Sequence, residues 1–244
     1  MKSESTQFKD ISRKRVYLEI MDQIKEKIQR KELRPGDRLP PERQWSEQLG
    51  VSRATVREAI RSMEMIGLVT CRQGEGNFIN DDFTSAMTQP MTISFWLGDG
   101  KLKDIHQFRQ CIEIEAASLA ATNATEEEIS HLISLNRQMA AERDEAISAN
   151  LDKSFHDTIG IMSDNCLIRD TMSSVASLID VIIRETRTAI LEKDNDAEVV
   201  VFQHRRIAEA ISYHNAELAG KRMLEHMLYV QDFMDELERK RKKM

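Results

Sequence analysis

Apolar residues recur every three to four positions along most of this 244-residue chain, a period that predicts helices. Val16, Ile20, Ile24 and Ile28, with Tyr17 beside them, mark an amphipathic helix over 16–29. Arg34-Pro35-Gly36-Asp37 reads as a turn. A second helix starts at Pro40-Pro41, where proline presets φ and its missing donor is not needed, and it closes at Gly50. Ser52 then caps a third helix. Here Val56, Ile60 and Met63 form an apolar stripe, while Arg53, Arg57 and Arg61 recur every four residues on a different one. Gly67 ends that helix, and the period changes. Residues 68–71 and 77–79 read as two short strands around Gln73-Gly74-Glu75-Gly76.

Beyond residue 100 only the helical period remains. Helices are expected over 102–121, 125–149, 151–163, 166–191, 199–213 and 216–240, with Thr125 and Asn215 as N-caps. The fold class is therefore mainly α: an N-terminal winged helix-turn-helix with a small β wing, then an all-α bundle. The domain plan is a polar arm over 1–12, the winged unit over 13–80, a linker segment over 81–100 and the bundle over 101–244. Thr84, Ser85, Pro90 and Gly98-Asp99-Gly100 give 81–100 its linker character. Met87, Met91, Ile93, Phe95, Trp96 and Leu97 are too apolar for a free tether, so a short helix or ordered segment lying against one of the domains is expected there.

Charge sharpens this division. The whole chain carries −6, but residues 1–80 hold 16 Lys+Arg against 12 Asp+Glu, leaving 19 against 29 in residues 81–244. A basic module joined to an acidic one suits a nucleic-acid reader with a partner domain. A helix-turn-helix pattern alone also fits a plain helical hairpin. The arginine row, the capped second helix and the glycine hairpin favour a DNA reader, whose second helix enters the major groove. No apolar run is long enough to span a membrane, and Met1–Asp10 lacks a signal-peptide core, so a cytoplasmic protein is expected. Cys71, Cys111 and Cys166 show no ligand spacing, which agrees with a reducing compartment.

Gly36-Asp37-Arg38-Leu39-Pro40-Pro41-Glu42-Arg43, Leu49-Gly50-Val51-Ser52-Arg53, Thr55-Val56-Arg57-Glu58-Ala59 and Gly67-Leu68-Val69 resemble the signature of GntR-family bacterial transcription regulators. That resemblance implies DNA contacts for Arg43, Ser52, Arg53, Thr55 and Arg57, with Gly74 at the wing tip. The chemistry agrees, since arginine can read guanine with both arms and hydroxyls reach phosphates. Glu75 stands where the family's wing often carries a basic residue, so Arg72 or the amides of Gly74 and Gly76 are expected to serve there.

In the bundle, Asp152 and His156 lie at i and i+4, and His204 and His226 sit on apolar faces of two further helices. Each histidine alone reads most simply as a hydrogen-bonded core residue. Together, one carboxylate and three imidazoles can hold a divalent ion with one or two positions left open. Arg109-Gln110-Cys111-Ile112-Glu113, Asp152-Lys153-Ser154-Phe155-His156, His204-Arg205-Arg206-Ile207 and Met223-Leu224-Glu225-His226 resemble the FCD effector domain of FadR-type GntR regulators. The resemblance implies that Asp152, His156, His204 and His226 bind a metal, zinc by default with nickel or manganese as alternatives. It also implies a small organic acid on the open positions, with Arg109 paired to its carboxylate. A structural ion pair with Glu113 is the competing role for Arg109. Arg184 and Arg187 are further pocket candidates, while His106, His131 and His214 read as surface or loop residues. Met87-Thr88-Gln89-Pro90 and Arg184-Glu185-Thr186-Arg187 resemble the lactate-utilisation repressors of bacilli.

The expected function is a ligand-responsive regulator, a repressor rather than an enzyme. It would bind a palindromic double-stranded operator as a homodimer and respond to a small hydroxy acid. Two rivals stay open: a metal-dependent hydrolase fused to a DNA-binding module, and an effector-independent DNA binder with a structural metal.

Overall fold

The structure, a computed structural model, describes residues 14–175 and 196–241. They form two compact units divided between Ala86 and Met87. Each unit has its own buried core.

In the first unit, α1 (Lys14–Gln29) lays Ile20, Met21 and Ile24 against the apolar stripe of α3 (Arg53–Met65). Val56, Ala59, Ile60 and Met63 form that stripe, and Trp45 of α2 (Glu42–Leu49) joins the same cluster. The turn between α2 and α3 has a clear physical origin. Gly50 ends α2 in the left-handed region at φ 65, where its N–H donates to Ser46 O. Ser52 then caps α3, its Oγ accepting from Thr55 N–H at 3.1 Å.

β1 (Val69–Arg72) and β2 (Gly76–Ile79) pair antiparallel, with Val69 opposite Ile79 and Arg72 opposite Gly76. A third edge, not expected from the sequence, completes this wing. Arg38 bridges Phe78, and backbone bonds run from Gly36 N to Ile79 O, Ile79 N to Asp37 O and Leu39 N to Asn77 O. The segment leading into α2 is thus stitched to the hairpin.

The second stretch of helices begins with α4 (Thr84–Leu97), which occupies most of the expected linker and keeps Pro90 inside it. Gly98–Gly100 breaks the chain after it, and the Phe95 ring lies where a side chain at Gly100 would be. Then come α5 (Leu102–Asn123), α6 (Glu126–Ala141), α7 (Glu145–Met162), α8 (166–175), α9 (Asp196–Ser212) and α10 (Ala216–Arg241). Ala116, Ala117, Ala120 and Ala121 on α5 are fully buried small residues that admit α10 closely. A methyl group on Gly220 would sit 2.4 Å from Ser118 Oγ.

One expected break is displaced: the two helices read as 125–149 and 151–163 are Glu126–Ala141 and Glu145–Met162. The helix predicted over 125–149 ends at Ala141, because Glu142 turns extended and Asp144 starts α7 by accepting from Ile147 N–H at 3.0 Å. Asp144 is a good N-cap, but no glycine or proline announces it.

Candidate metal centre and nucleic-acid interface

The bundle core closes around a polar knot built from α5, α7, α9 and α10. His156, His204 and His226 are all buried, and one nitrogen from each lies within 4.8 Å of the others. His204 Nε2 and His226 Nε2 face one another at 3.3 Å. Two nitrogens each about 2.0–2.1 Å from one tetrahedral ion would be about 3.3–3.4 Å apart. Asp152, one helical turn before His156 and also buried, brings Oδ1 to 3.8 Å from His204 Nε2. Phe155 stacks on the His204 ring at 4.5 Å.

Acceptor groups stand behind two of the imidazoles. His226 Nδ1 lies 3.0 Å from Gln203 Oε1, which can only accept, so the proton sits on Nδ1 and Nε2 keeps its lone pair. His156 Nδ1 lies 2.5 Å from the Glu113 Oε2 carboxylate oxygen. His156 Nε2 is buried with no hydrogen-bond partner among the described residues. Such backing of ligand histidines is the usual second layer of a metal site. The donor set therefore fits a divalent ion.

Arg109 and Glu113 pair through Nε and Oε1 on one face of α5, both buried. This is the ion pair that competed with an effector-binding role for Arg109. Arg109 Nη2, however, is buried without a hydrogen-bond partner among the described residues. Burial opposes ionisation of Glu113, but Arg109 and His156 outweigh it and hold its carboxyl well below the usual carboxylate range. Arg184 and Arg187 lie outside the described residues.

His106 corrects an expectation. Instead of lying at the surface it is fully buried, its Nε2 2.9 Å from Met227 O. His131 and His214 are exposed as expected. Three contacts escaped the sequence reading: Glu113 to His156, Gln203 to His226 and Phe155 on His204. Only the Arg109–Glu113 spacing gave any hint.

The His226 imidazole is pushed well below its ordinary range, first by burial, then by the neighbouring His204 and His156, with Asp152 opposing. Unfolding returns it to an ordinary pKa of about 6.5. Below that value the unfolded chain binds more protons than the folded one, so stability is lost as pH falls toward the depressed folded pKa. Metal-free protein is expected to melt at progressively lower temperature below pH about 6.5. His226→Gln should flatten that slope, and identical melting profiles in the two proteins would place the acid sensitivity elsewhere.

On the first unit, Ser52, Arg53, Thr55 and Arg57 fall within the capped start of α3, and Arg53 and Arg57 are exposed. Ser52 Oγ and Thr55 Oγ1 are 2.8 Å apart. Arg43 reaches its helix neighbour Glu47 at 3.3 Å, and Arg57 is held by Glu42. Arg72 lies over the Phe78 ring, its guanidinium 4.5 Å from the centroid. Gly74 forms the wing turn at φ 79 with open space around it.

Comparison with known proteins places both halves. Residues 16–79 match the model of bacterial regulatory proteins of the gntR family, and residues 104–229 match the FCD domain. The chain is 31% identical over 209 residues to the HTH-type transcriptional regulator LutR of Bacillus subtilis (strain 168), covering 85% of this chain and 95% of that protein. It is 29% identical over 220 residues to an Escherichia coli (strain K12) protein named for regulation of the L-lactate dehydrogenase operon, covering 88% and 85%. The structure of Streptococcus agalactiae GntR shares the fold, with a TM-score of 0.68 and 24% identity, over 89% of this chain and 100% of that one. These relatives are regulators, so the hydrolase reading of the histidine cluster is set aside. A winged reading head over 16–79 and an FCD bundle over 104–229 make the chain a member of the GntR family of DNA-binding transcriptional regulators.

Proposed function

We propose that this regulator is a homodimeric repressor controlled by a small hydroxy acid held at a divalent metal in the bundle. The carrying observation is the trio of buried imidazoles with His204 Nε2 and His226 Nε2 at 3.3 Å. Asp152, His156, His204 and His226 are the proposed ligands, and zinc is the proposed ion, since nitrogen and carboxylate donors suit it. When bound, such an ion supplies positive charge and open positions for a carboxylate. Arg109 is the proposed second anchor: its buried Nη2 is a charged donor that suits one carboxylate oxygen.

The effector class draws support from two relatives, one named LutR and one named for the L-lactate dehydrogenase operon. Lactate is the first candidate, glycolate and sugar acids the next. On the reading head, Arg43, Ser52, Arg53, Thr55, Arg57, Arg72 and Gly74 are the proposed DNA contacts. A two-fold dimer matches a palindromic operator. The acid can act only by binding the DNA-competent and DNA-incompetent states unequally.

The test is elemental analysis of the purified protein, followed by melting with L-lactate, glycolate and gluconate. Metal near one ion per chain is expected. A hydroxy acid at a hundred times its dissociation constant should add about 2.7 kcal/mol. Metal-free protein whose melting is unmoved by all three acids would overturn the reading.

A further inference from the structure

We propose that Glu42 is a positioning residue for base readout, gripping one edge of the Arg57 guanidinium and leaving the other edge to meet DNA. The inference rests on Arg57 being a base contact, as proposed above. Glu42 opens α2, and Arg57 stands in the second turn of α3. Arg57 Nη2 donates to Glu42 Oε2 at 2.8 Å, and Arg57 Nε lies 3.2 Å from Oε2 and 3.3 Å from Oε1.

All of these contacts use the Nε/Nη2 edge. A guanidinium is planar, with its five N–H groups in a rigid fork. A carboxylate seated on that edge fixes the plane of the whole group. The Nη1/Nη2 edge stays outside the pair, and it can meet guanine O6 and N7 together. The carboxylate is also the more sheltered partner, its side chain 27% exposed against 52% for Arg57. The pair is thus anchored on the protein side and open on the outer side.

Stability gives no sufficient reason for this contact, because half-exposed ion pairs add little. The two helices are already joined through Trp45, Val56 and Ile60 in one buried cluster. General attraction to DNA gives no reason either, since phosphate binding is best served by cations alone. Yet Glu42 also feels the charges of the rest of the arginine row. Its carboxyl is held below the usual range by the Arg57 hydrogen bond, against burial, and then by the charges of Arg57, Arg53 and Arg61. An acid in that place weakens indiscriminate binding while it aims one arginine. Among the described residues Arg43 has no such clasp from another helix; it pairs with Glu47 on its own helix, and both are well exposed.

The test is selection from a randomised duplex library with the full-length wild type, Glu42→Gln, Glu42→Asp and Arg57→Ala. The wild-type motif is expected to hold a G·C pair in each half-site that Arg57→Ala no longer prefers. Glu42→Gln should weaken preference at that same position by about tenfold and leave the others intact. It should also bind a scrambled duplex more tightly at low salt. Glu42→Asp, with the charge kept on a shorter arm, should give an intermediate loss there. If Arg57→Ala changes no position, the base-contact reading falls and this inference with it. If Arg57→Ala erases a position that both Glu42 variants keep at wild-type strength, Arg57 stands and the role of Glu42 is overturned. Uniform weakening at every position in the Glu42 variants would also overturn it.

Discussion

Replacing His204 with alanine is expected to abolish the proposed metal binding and the proposed response to hydroxy acids. His204 is the most enclosed of the three imidazoles, with no exposed surface, Phe155 stacked on it and Nε2 aimed at His226 Nε2. Removing a group behind a ligand commonly costs about 10–100-fold in metal affinity, so removing a ligand should cost more than about 100-fold. Gln203→Ala, which takes away only the acceptor behind His226, should fall inside the smaller range. The stabilisation of about 2.7 kcal/mol from a saturating acid should vanish in His204→Ala. The core of the reading head contains none of these residues, so DNA-bound salt sensitivity should survive. Elemental analysis decides the matter: metal retained at wild-type levels in His204→Ala would refute the ligand assignment.

The second large effect lies in the ion pair behind the histidines. Glu113→Gln should destabilise the fold by about 3–5 kcal/mol, because it leaves the Arg109 guanidinium buried without its counter-charge. A denaturant melt of metal-free protein measures this away from any metal loss. The sign with pH is also set. Glu113 has a lowered folded pKa, so its contribution is complete above the unfolded carboxylate value of about 4.3 and fades only as pH drops through the folded one. The deficit in Glu113→Gln should therefore be full at neutral pH. Adding Arg109→Met should restore part of the loss, since a buried pair replaced by apolar groups is far less costly than one left half made. A single variant as stable as wild type would show the pair to be dispensable.

Local signals carried the reading head into view. Gly50, Ser52 and Gly67 announce helix ends through backbone geometry that needs no distant partner, and Val56, Ile60 and Met63 mark the buried face by spacing alone. The four metal-ligand candidates were visible for a similar reason, as donor-type residues on otherwise apolar faces. What stayed hidden depends on which helices meet. Glu113 touches His156 only because α5 packs against α7, and His106 is buried only because α10 covers it. Nothing in the spacing of either residue tells an inward turn from an outward one. The break before Asp144 was missed because Glu142 and Arg143 favour a helix as readily as a bend. Arg57 was read as a DNA contact without a protein partner being foreseen, and its clasp by Glu42 joins residues of two helices fifteen positions apart in sequence.

The strip of chain from Gly36 to Leu39 is bonded along β2 and runs directly into Pro40 and Pro41 at the head of α2. The hairpin consequently has no swivel of its own. Tilting it would tear three main-chain bonds and drag the start of α2 along. Were a duplex to press on the wing tip, those same bonds would carry the load toward Glu42 at the start of α2.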